Sequence, residues 1–335
     1  MRLALSAEQE QLAAVLHAML AEADIPAVAR RWATDDHAPG RTVWRRLADL
    51  GVTGLAVPAR WGGLAAHPAD VVVACEELGH HALPGPVAES VAAVPVLLTT
   101  LGDEALCESW LPRLAAGEVV GTLAVAPHLP YATDADVATL VLRADARTLR
   151  LGVPGVRLRS VDDTRRLVEV ADGALLAAGP AVTQAVARAL DAGALACAAQ
   201  LLGAGHALLE TTTRYAGERT QFGRPIGQFQ AVKHMLADVA VGLQFARPLL
   251  YAAAVAVADD TPTAVRDVSA ARVACADAAL RAARTALQVH GAFGYARESG
   301  LDSWLTRIWA LARSWGTQSW HRGRIMAALT ADDLA

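Results

Sequence analysis

Apolar positions along the chain change period twice. From residue 6 to about residue 118 they recur three and four apart, the spacing of one helix face. Leu12, Val15, Leu16 and Met19 form one such stripe, Trp44, Leu47 and Leu50 a second, and Val71, Ala74, Cys75 and Leu78 a third. Ser6, followed by Glu8 and Gln9, suits an N-cap, because its hydroxyl can accept the first free amides of a helix. Gly51 and Gly79 read as helix ends, and GLAVPARWGGL at residues 54–64 as a Pro/Gly loop. Between about 121 and 180 the texture shifts. TLAVAP, ATLVLRA, TLRLGV and RLVEVA alternate apolar with polar residues between Asp, Gly and Pro turns, the mark of short strands. From Val182 onward helical spacing returns. One helix carries Val232, Leu236, Val239 and Leu243 toward a core, and Pro248 is expected to kink or end it. The chain thus reads as mainly α with a small central β domain: a helical domain over 1–120, a β domain over 121–180 and a helical bundle over 181–335.

Composition narrows the classes of function. With 335 residues, 54% hydrophobic and 19% charged, the chain can bury one large core or a few smaller ones. The net charge is −4 and Lys and Arg are scattered, which leaves no electrostatic footprint for nucleic acid. Cys75, Cys107, Cys197 and Cys275 stand apart among Ala, Val and Leu, and read as buried small hydrophobes in a reducing, cytoplasmic compartment. Acidic residues arrive too early at the N-terminus for a secretory leader. Residues 192–209 come nearest to a membrane span, but they are Ala- and Gly-rich and contain His206, so a buried bundle helix is expected there and no membrane partner. His80 and His81, just beyond the expected helix end, read as a cap or surface pair, since no third ligand is near in sequence; no metal is expected. Trp304, Trp309, Trp315 and Trp320 follow at spacings of five, six and five, too irregular for a helical stripe, and read as core or as anchors for a partner.

Two stretches near the C-terminus say more. RYAGERTQFGRPIGQFQAVKHMLADV, residues 214–239, and LQVHGAFGY, residues 287–295, resemble the flavin-contacting motifs of the acyl-CoA dehydrogenase family. LADLGVTGLAVPARWGGL, EELG at 76–79 and WLPRLAAGE at 110–118 add to the likeness. Singly, an Arg on a helix is a solvated residue and a Phe is core; the joint occurrence in order and at family spacing is what carries weight. The resemblance implies the helix, sheet, helix fold and an FAD shared at a subunit interface, where one subunit's C-terminal helices reach a neighbour's cofactor. Arg219 and Phe222 match the residues that pair with the FAD pyrophosphate and pack beside it, and a guanidinium fork suits a diphosphate in a way Lys does not. Gln288 matches a residue that hydrogen-bonds the cofactor. Gly291 and Gly294 match positions where backbone comes close to phosphate and ribose, with Ala292 in place of a second adjacent glycine. Gln221, Gln230 and His290 belong to the same cofactor-binding set.

The family introduces a 2,3-double bond into an acyl thioester: a carboxylate takes the α-proton while the β-hydrogen leaves as hydride. The parts a subunit uses for that chemistry are missing. A T-E-P-x-A-G-S-D stretch becomes GTLAVAPHLPYATDADV at 121–137, and a Trp-Ile-Thr-Asn strand is not found in ATLVLRADARTLRLGV. Aligning RSWGT at 313–317 with the family's Tyr-Glu-Gly-Thr puts Trp315 where the base stands, and an indole offers no lone pair to a proton. The other base position of the family falls on Gly193; Asp191, two residues away, is turned by about 200° on a helix. What remains is the part lent to a neighbour. The resemblance therefore implies a non-catalytic subunit of a heteromeric FAD-dependent acyl-CoA dehydrogenase, like the degenerate subunit of the α2β2 enzymes of actinobacterial steroid side-chain degradation. Its homologous partner would bind most of the acyl-CoA and supply the Glu. Two alternatives stand beside it: a self-sufficient acyl-CoA or acyl-carrier-protein dehydrogenase with Asp191 or Glu218 as a relocated base, and a flavin-free scaffold of the same fold.

Overall fold

The computed structural model describes residues 4–332. Helices come first: α1 Ala7–Glu22, α2 Ile25–Ala33, α3 Ala38–Asp49, α4 Pro68–His80, α5 Val94–Leu101 and α6 Glu104–Ala115. The strands β1 Gly121–Val125, β2 Ala132–Thr133, β3 Leu140–Ala144, β4 Thr148–Leu158 and β5 Leu167–Ala178 follow. Then come α7 Pro180–Glu218, a hairpin of β6 Thr220–Gln221 and β7 Arg224–Pro225, α8 Gln230–Ala258, α9 Ala264–His290, α10 Asp302–Leu311 and α11 Gln318–Asp332. Helices, sheet, helices is the order that the hydrophobic periods call for.

Local chemistry sets several boundaries as expected. Ser6 accepts from the Gln9 amide while the Gln9 side chain accepts from Ser6, a reciprocal cap on α1. Gly51, at φ +80, carries the chain out of α3. Four details differ. Leu50, the last residue of the second stripe, is exposed at the end of α3. Val15 is exposed, and Leu20 joins Leu16 and Met19 in the core instead. α4 does not stop at Gly79 but runs through it to His80, for a packing reason given below. α8 continues past Pro248, because Pro248 lies on an exposed face where the orphaned carbonyl one turn back, on exposed Gln244, can turn to water.

The sheet runs β1-β3-β4-β5-β2, with β1 parallel to β3 and the other pairs antiparallel. The Thr122 hydroxyl on β1 donates to the Thr133 carbonyl on β2 at 2.6 Å, so the two edge strands meet and the sheet curls into a barrel-like form. The four cysteines are buried and unbridged.

α7 is the axis of the molecule. Residues 193–205 are almost all Ala, Gly, Leu or Cys and every one is buried, because α4, α5, α9 and α10 surround them. α7 and α8 are each long and apolar enough to cross a membrane, but the apolar run of α7 is spent inside the protein. Small residues let the helices approach closely. A Cβ on Gly79 would lie 2.2 Å from the Gln200 carbonyl oxygen, and one on Gly203 would lie 1.9 Å from that of Glu76, so α4 and α7 cross backbone against backbone. Backbone cannot step aside as a side chain can. Gly203→Ala is therefore expected to destabilise the protein by about 2–3 kcal/mol in denaturant unfolding. Gly242→Ala on α8, where the nearest atom to a new Cβ is 3.9 Å away, is expected to leave stability unchanged or raise it by up to about 1 kcal/mol.

Candidate functional site

Two regions hold the residues that the sequence singles out. The first is the interior junction of α7, the β1–β2 connection and the segment between α10 and α11. Trp315 in that segment is 1% exposed, and a Cβ on Gly193 would fall 2.2 Å from its indole ring. The two positions where the resemblance puts a catalytic carboxylate thus face each other, one reduced to glycine and the other filled by an indole. Gly193 is the only residue type that leaves room for that ring.

Trp315 sits at φ +57, a left-handed backbone that a bulky residue rarely adopts. The segment is held there from two sides. Arg272 on α9 donates from Nη2 to the carbonyls of Leu311 at 2.6 Å and Ser314 at 2.8 Å. His321 on α11 donates from Nε2 to the Trp315 carbonyl at 2.9 Å, which leaves Nδ1 to accept from the Ser269 hydroxyl at 3.1 Å. Burial drives the His321 pKa down to about 4; the bond to the Trp315 carbonyl opposes this, and the charges of Arg272, Arg324 and His128 add to the lowering.

Buried polar side chains take the space around the indole. Arg165 Nη2 reaches Thr133 Oγ1 at 3.0 Å and Ser314 Oγ at 2.8 Å, and lies 3.7 Å from Glu89 Oε1. Burial raises the Glu89 pKa, against the Arg165 charge and a hydrogen bond from Thr133. The gap among Glu89, Arg165, Gln200, Arg307 and Trp315 admits no water molecule. Nearby, the His128 ring lies against the Trp320 ring with centroids 4.2 Å apart. His128 belongs to the 121–137 stretch, which by resemblance would line a flavin, and here it packs on the first turn of α11. Asp191 is committed elsewhere, in a 2.6 Å ion pair with Arg324 of α11; burial raises its pKa and Arg324 opposes that. Glu218, the other candidate for a relocated base, is exposed and makes no ion pair among the described residues.

The second region faces outward. α7 ends at Glu218, and Arg219 leads into the β6–β7 hairpin, whose two-residue turn is Phe222 at φ +52 and Gly223 at φ +78. Positive φ at both turn positions is the geometry of a tight hairpin, ordinarily Asn-Gly or Gly-Gly. Here the first position holds a phenylalanine that is 93% exposed, an apolar ring presented to solvent on a strained backbone. The Arg219 guanidinium is exposed and has no partner among the described residues; the Gln221 side chain donates to the Thr220 carbonyl, and Gln230, the first residue of α8, is exposed. At the end of α9, Gln288 is exposed, and Gly291 turns the chain at φ +59 with no atom within 4 Å of where a Cβ would stand. Gly294 and His290 lie differently. Gly294 is buried, with His290 Cβ 3.1 Å from where its own Cβ would be. His290 is buried with Nδ1 on the Ala286 carbonyl at 2.8 Å, and burial lowers its pKa.

Tyr215, which the sequence did not flag, joins the two motifs. Its carbonyl accepts from the Arg219 amide at 2.8 Å, and its ring stacks on His290 with centroids 4.0 Å apart and on Phe293 at 5.9 Å. The hairpin and the Gly291 turn are therefore fixed relative to each other at one end of the α7–α9 pair. An unpaired guanidinium, an open glycine turn and an exposed ring fit the diphosphate portion of a dinucleotide.

Residues 6–118 match the family model described as acyl-CoA dehydrogenase, N-terminal domain, and residues 183–330 match acyl-CoA dehydrogenase, C-terminal domain. The chain is 30% identical over 307 residues to the acyl-CoA dehydrogenase IpdE2 of Mycobacterium tuberculosis, covering 90% of each chain. It belongs to the acyl-CoA dehydrogenase family. A second IpdE2, from Mycolicibacterium smegmatis, is 30% identical over 315 residues, covering 93% of this chain and 96% of the relative. Among solved structures, butyryl-CoA dehydrogenase of Megasphaera elsdenii shares the fold with a TM-score of 0.86 at 21% identity, over 98% of this chain and all of that one. The ChsE4-ChsE5 complex of Mycobacterium tuberculosis does so with a TM-score of 0.86 at 24% identity, over 98% and 99% of the two chains.

For this acyl-CoA dehydrogenase family member the state of His321 is a direct handle on the interior junction. Its ordinary pKa is about 6.5, so a folded-state value near 4 means that the neutral imidazole contributes stability in full above about pH 6.5. That contribution is lost as pH falls from about 6.5 toward 4. The unfolding midpoint of the protein should drop across this window, and His321→Gln should lower the midpoint at pH 7.5 while flattening the acid dependence.

Proposed function

We propose that this chain is the non-catalytic subunit of a heteromeric FAD-dependent acyl-CoA dehydrogenase, completing the FAD site of a homologous subunit. The observation that carries the reading is the pairing of a filled interior with an open exterior: Trp315 packed on Gly193, the Arg219 guanidinium without a partner among the described residues, and Phe222 93% exposed with only the edge of Phe229 beside it. FAD, when bound, supplies the hydride acceptor for desaturation of an acyl thioester. This chain's contribution is binding. Arg219 neutralises diphosphate charge with a planar donor fork, Phe222 covers it against water, and Gln288 and the Gly291 backbone bring hydrogen-bonding groups close. The remaining residues of the set, Gln221, Gln230, His290 and Gly294, act at or behind that surface, His290 and Gly294 by fixing the α9 turn. The acyl thioester and the Glu that deprotonates it belong to the partner. A steroid side-chain CoA ester is the substrate class in this reading, supported by the resemblance to the actinobacterial heteromers and by the steroid acyl-CoA dehydrogenase among the structural neighbours.

A partner of the same fold also accounts for α8. Val241, Phe245 and Leu249, each one turn from the next, are exposed on its outer face, an apolar stripe of the kind that subunit contacts cover. A self-sufficient enzyme is less well supported, because Asp191 is held by Arg324 and Glu218 stands at the surface.

The chain expressed alone is expected to be colourless or insoluble. Co-expressed with a paralogue that retains the Glu, it should give a yellow complex holding fewer FAD than chains, read by absorbance against protein mass. Within that complex Arg219→Ala should weaken flavin retention about 10- to 100-fold, the loss of a charge-assisted hydrogen bond worth about 1.5–3 kcal/mol. A yellow, active homo-oligomer of this chain alone would sink the proposal.

A further inference from the structure

The histidines near the end of α4 are not a simple cap or surface pair. The third and fourth groups that sequence spacing did not supply come from α1 and from one turn earlier on α4. His17, Glu77, His80 and His81 each bring one ligand-type atom into a cluster in which all four lie within 4.8 Å of one another. Glu77 and His81 are four residues apart, on one face of the helix end. His17 reaches them across the α1–α4 contact: its Nδ1 is 3.1 Å from Glu77 Oε2 and 3.3 Å from His81 Nε2.

Those separations suit a metal better than a proton. One ring nitrogen can hold a single hydrogen, so His17 Nδ1 cannot donate to both neighbours. If it donates to Glu77, His81 Nε2 must be the unprotonated nitrogen of its ring and can at best share that one hydrogen; if it accepts from His81, its lone pair faces a carboxylate. A tetrahedral ion with ligand bonds of about 2.0–2.1 Å sets its ligands about 3.3 Å apart, close to the two distances found. His80 adds a further sign of a gap: its Nδ1 is buried with no hydrogen-bond partner, while Nε2 is 3.0 Å from Glu210 Oε2 on α7. A carboxylate on the far nitrogen of a histidine is the usual way a metal-bound imidazole is oriented.

We propose that His17, Glu77, His80 and His81 form a binding site for a divalent transition metal of the Zn2+ class, with Glu210 orienting His80. Four protein ligands leave no open position, so the ion's role is structural: it fastens α1 to the end of α4. His17 is half exposed, which gives the ion a way in. All five side chains belong to this chain, so the proposal is independent of whether the protein works in a heteromer.

The test uses the full-length chain without a polyhistidine tag, alone or with its co-expressed paralogue, stripped with chelator and then given Zn2+. Elemental analysis after desalting should find one zinc per chain, with a dissociation constant below about 1 µM and a raised unfolding midpoint. Co2+ in its place should give the intense visible bands of tetrahedral coordination. His17→Ala removes a half-exposed side chain and should fold by circular dichroism, yet lose at least 10-fold in affinity and lose the Co2+ bands; His81→Ala should do the same. Glu210→Gln should weaken binding up to about 100-fold without abolishing it. Zinc that washes off the parent protein, or zinc retained equally by His17→Ala, overturns the proposal.

Discussion

Arg307 on α10 is the point where three parts of the chain are tied at once. Its guanidinium donates to Asp162 Oδ2 at 2.6 Å, to Thr164 Oγ1 at 2.7 Å and to the Leu83 carbonyl at 2.6 Å, joining the C-terminal helices to the loop before β5 and to the segment after α4. Burial would raise the Asp162 pKa, but the Arg307 charge and the hydrogen bonds from Thr164 and Arg307 outweigh it and hold the carboxyl below its ordinary value. Removing either partner would strand a buried charge, a loss of about 3–5 kcal/mol. Arg165 and Glu89 extend the same buried layer toward Trp315. The three regions are therefore not separately mobile bodies with a cleft between them. Arg307, Arg165 and Glu89 thus tie the helical and sheet regions together around Trp315.

That connection explains why the interior junction is more than a site lacking one residue. Trp315 holds a left-handed backbone conformation, which costs on the order of 1–3 kcal/mol, and Arg272 and His321 clamp the carbonyls on either side of it. Gly193 has given up its side chain to admit the ring. A carboxylate at position 193 would meet the Trp315 ring, and one at position 315 would face the buried Arg165, already bonded to Thr133 and Ser314. Three separate adjustments converge on a solid core.

Most of the fold could be read in the sequence because it rests on periodicity and capping, which are local. Ser6 with Gln9, Gly51 after α3, and the alternation that marks the strands each act over a few residues. Gly79 was misread as a helix stop because glycine has the same letter whether it ends a helix or lets another helix touch its backbone; the difference lies with Gly203, far along the chain. The candidate residues Arg219, Phe222 and Gln288 could be picked out only by resemblance, since nothing local distinguishes an unpaired arginine from a paired one. Tyr215 and Glu89 were passed over for the opposite reason. An aromatic on a long helix and a single acid in an apolar run both look ordinary until the packing shows a ring stacked on His290 and a carboxylate beside Arg165. The meeting of His17 with His81 depends on how α1 lies on α4, which no spacing in one segment encodes.

The two regions contrast in how their strain is offset. A chain released from all function would be expected to lose strained and exposed features first, since nothing offsets their cost. Phe222 is such a feature: a bulky ring at a turn position that favours Asn or Gly, 93% exposed, on a hairpin of two-residue strands. Within the chain its ring meets the edge of Phe229, centroids 6.1 Å apart, which offsets little of that cost. The interior leans the other way: the carbonyls of Ser314 and Trp315 are both bonded within the chain and the indole packs on Gly193, although the Trp315 Nε1 and the Arg272 Nε and Nη1 are buried without partners. The exposed ring at the hairpin is thus the costly feature that the packing of this chain does least to offset.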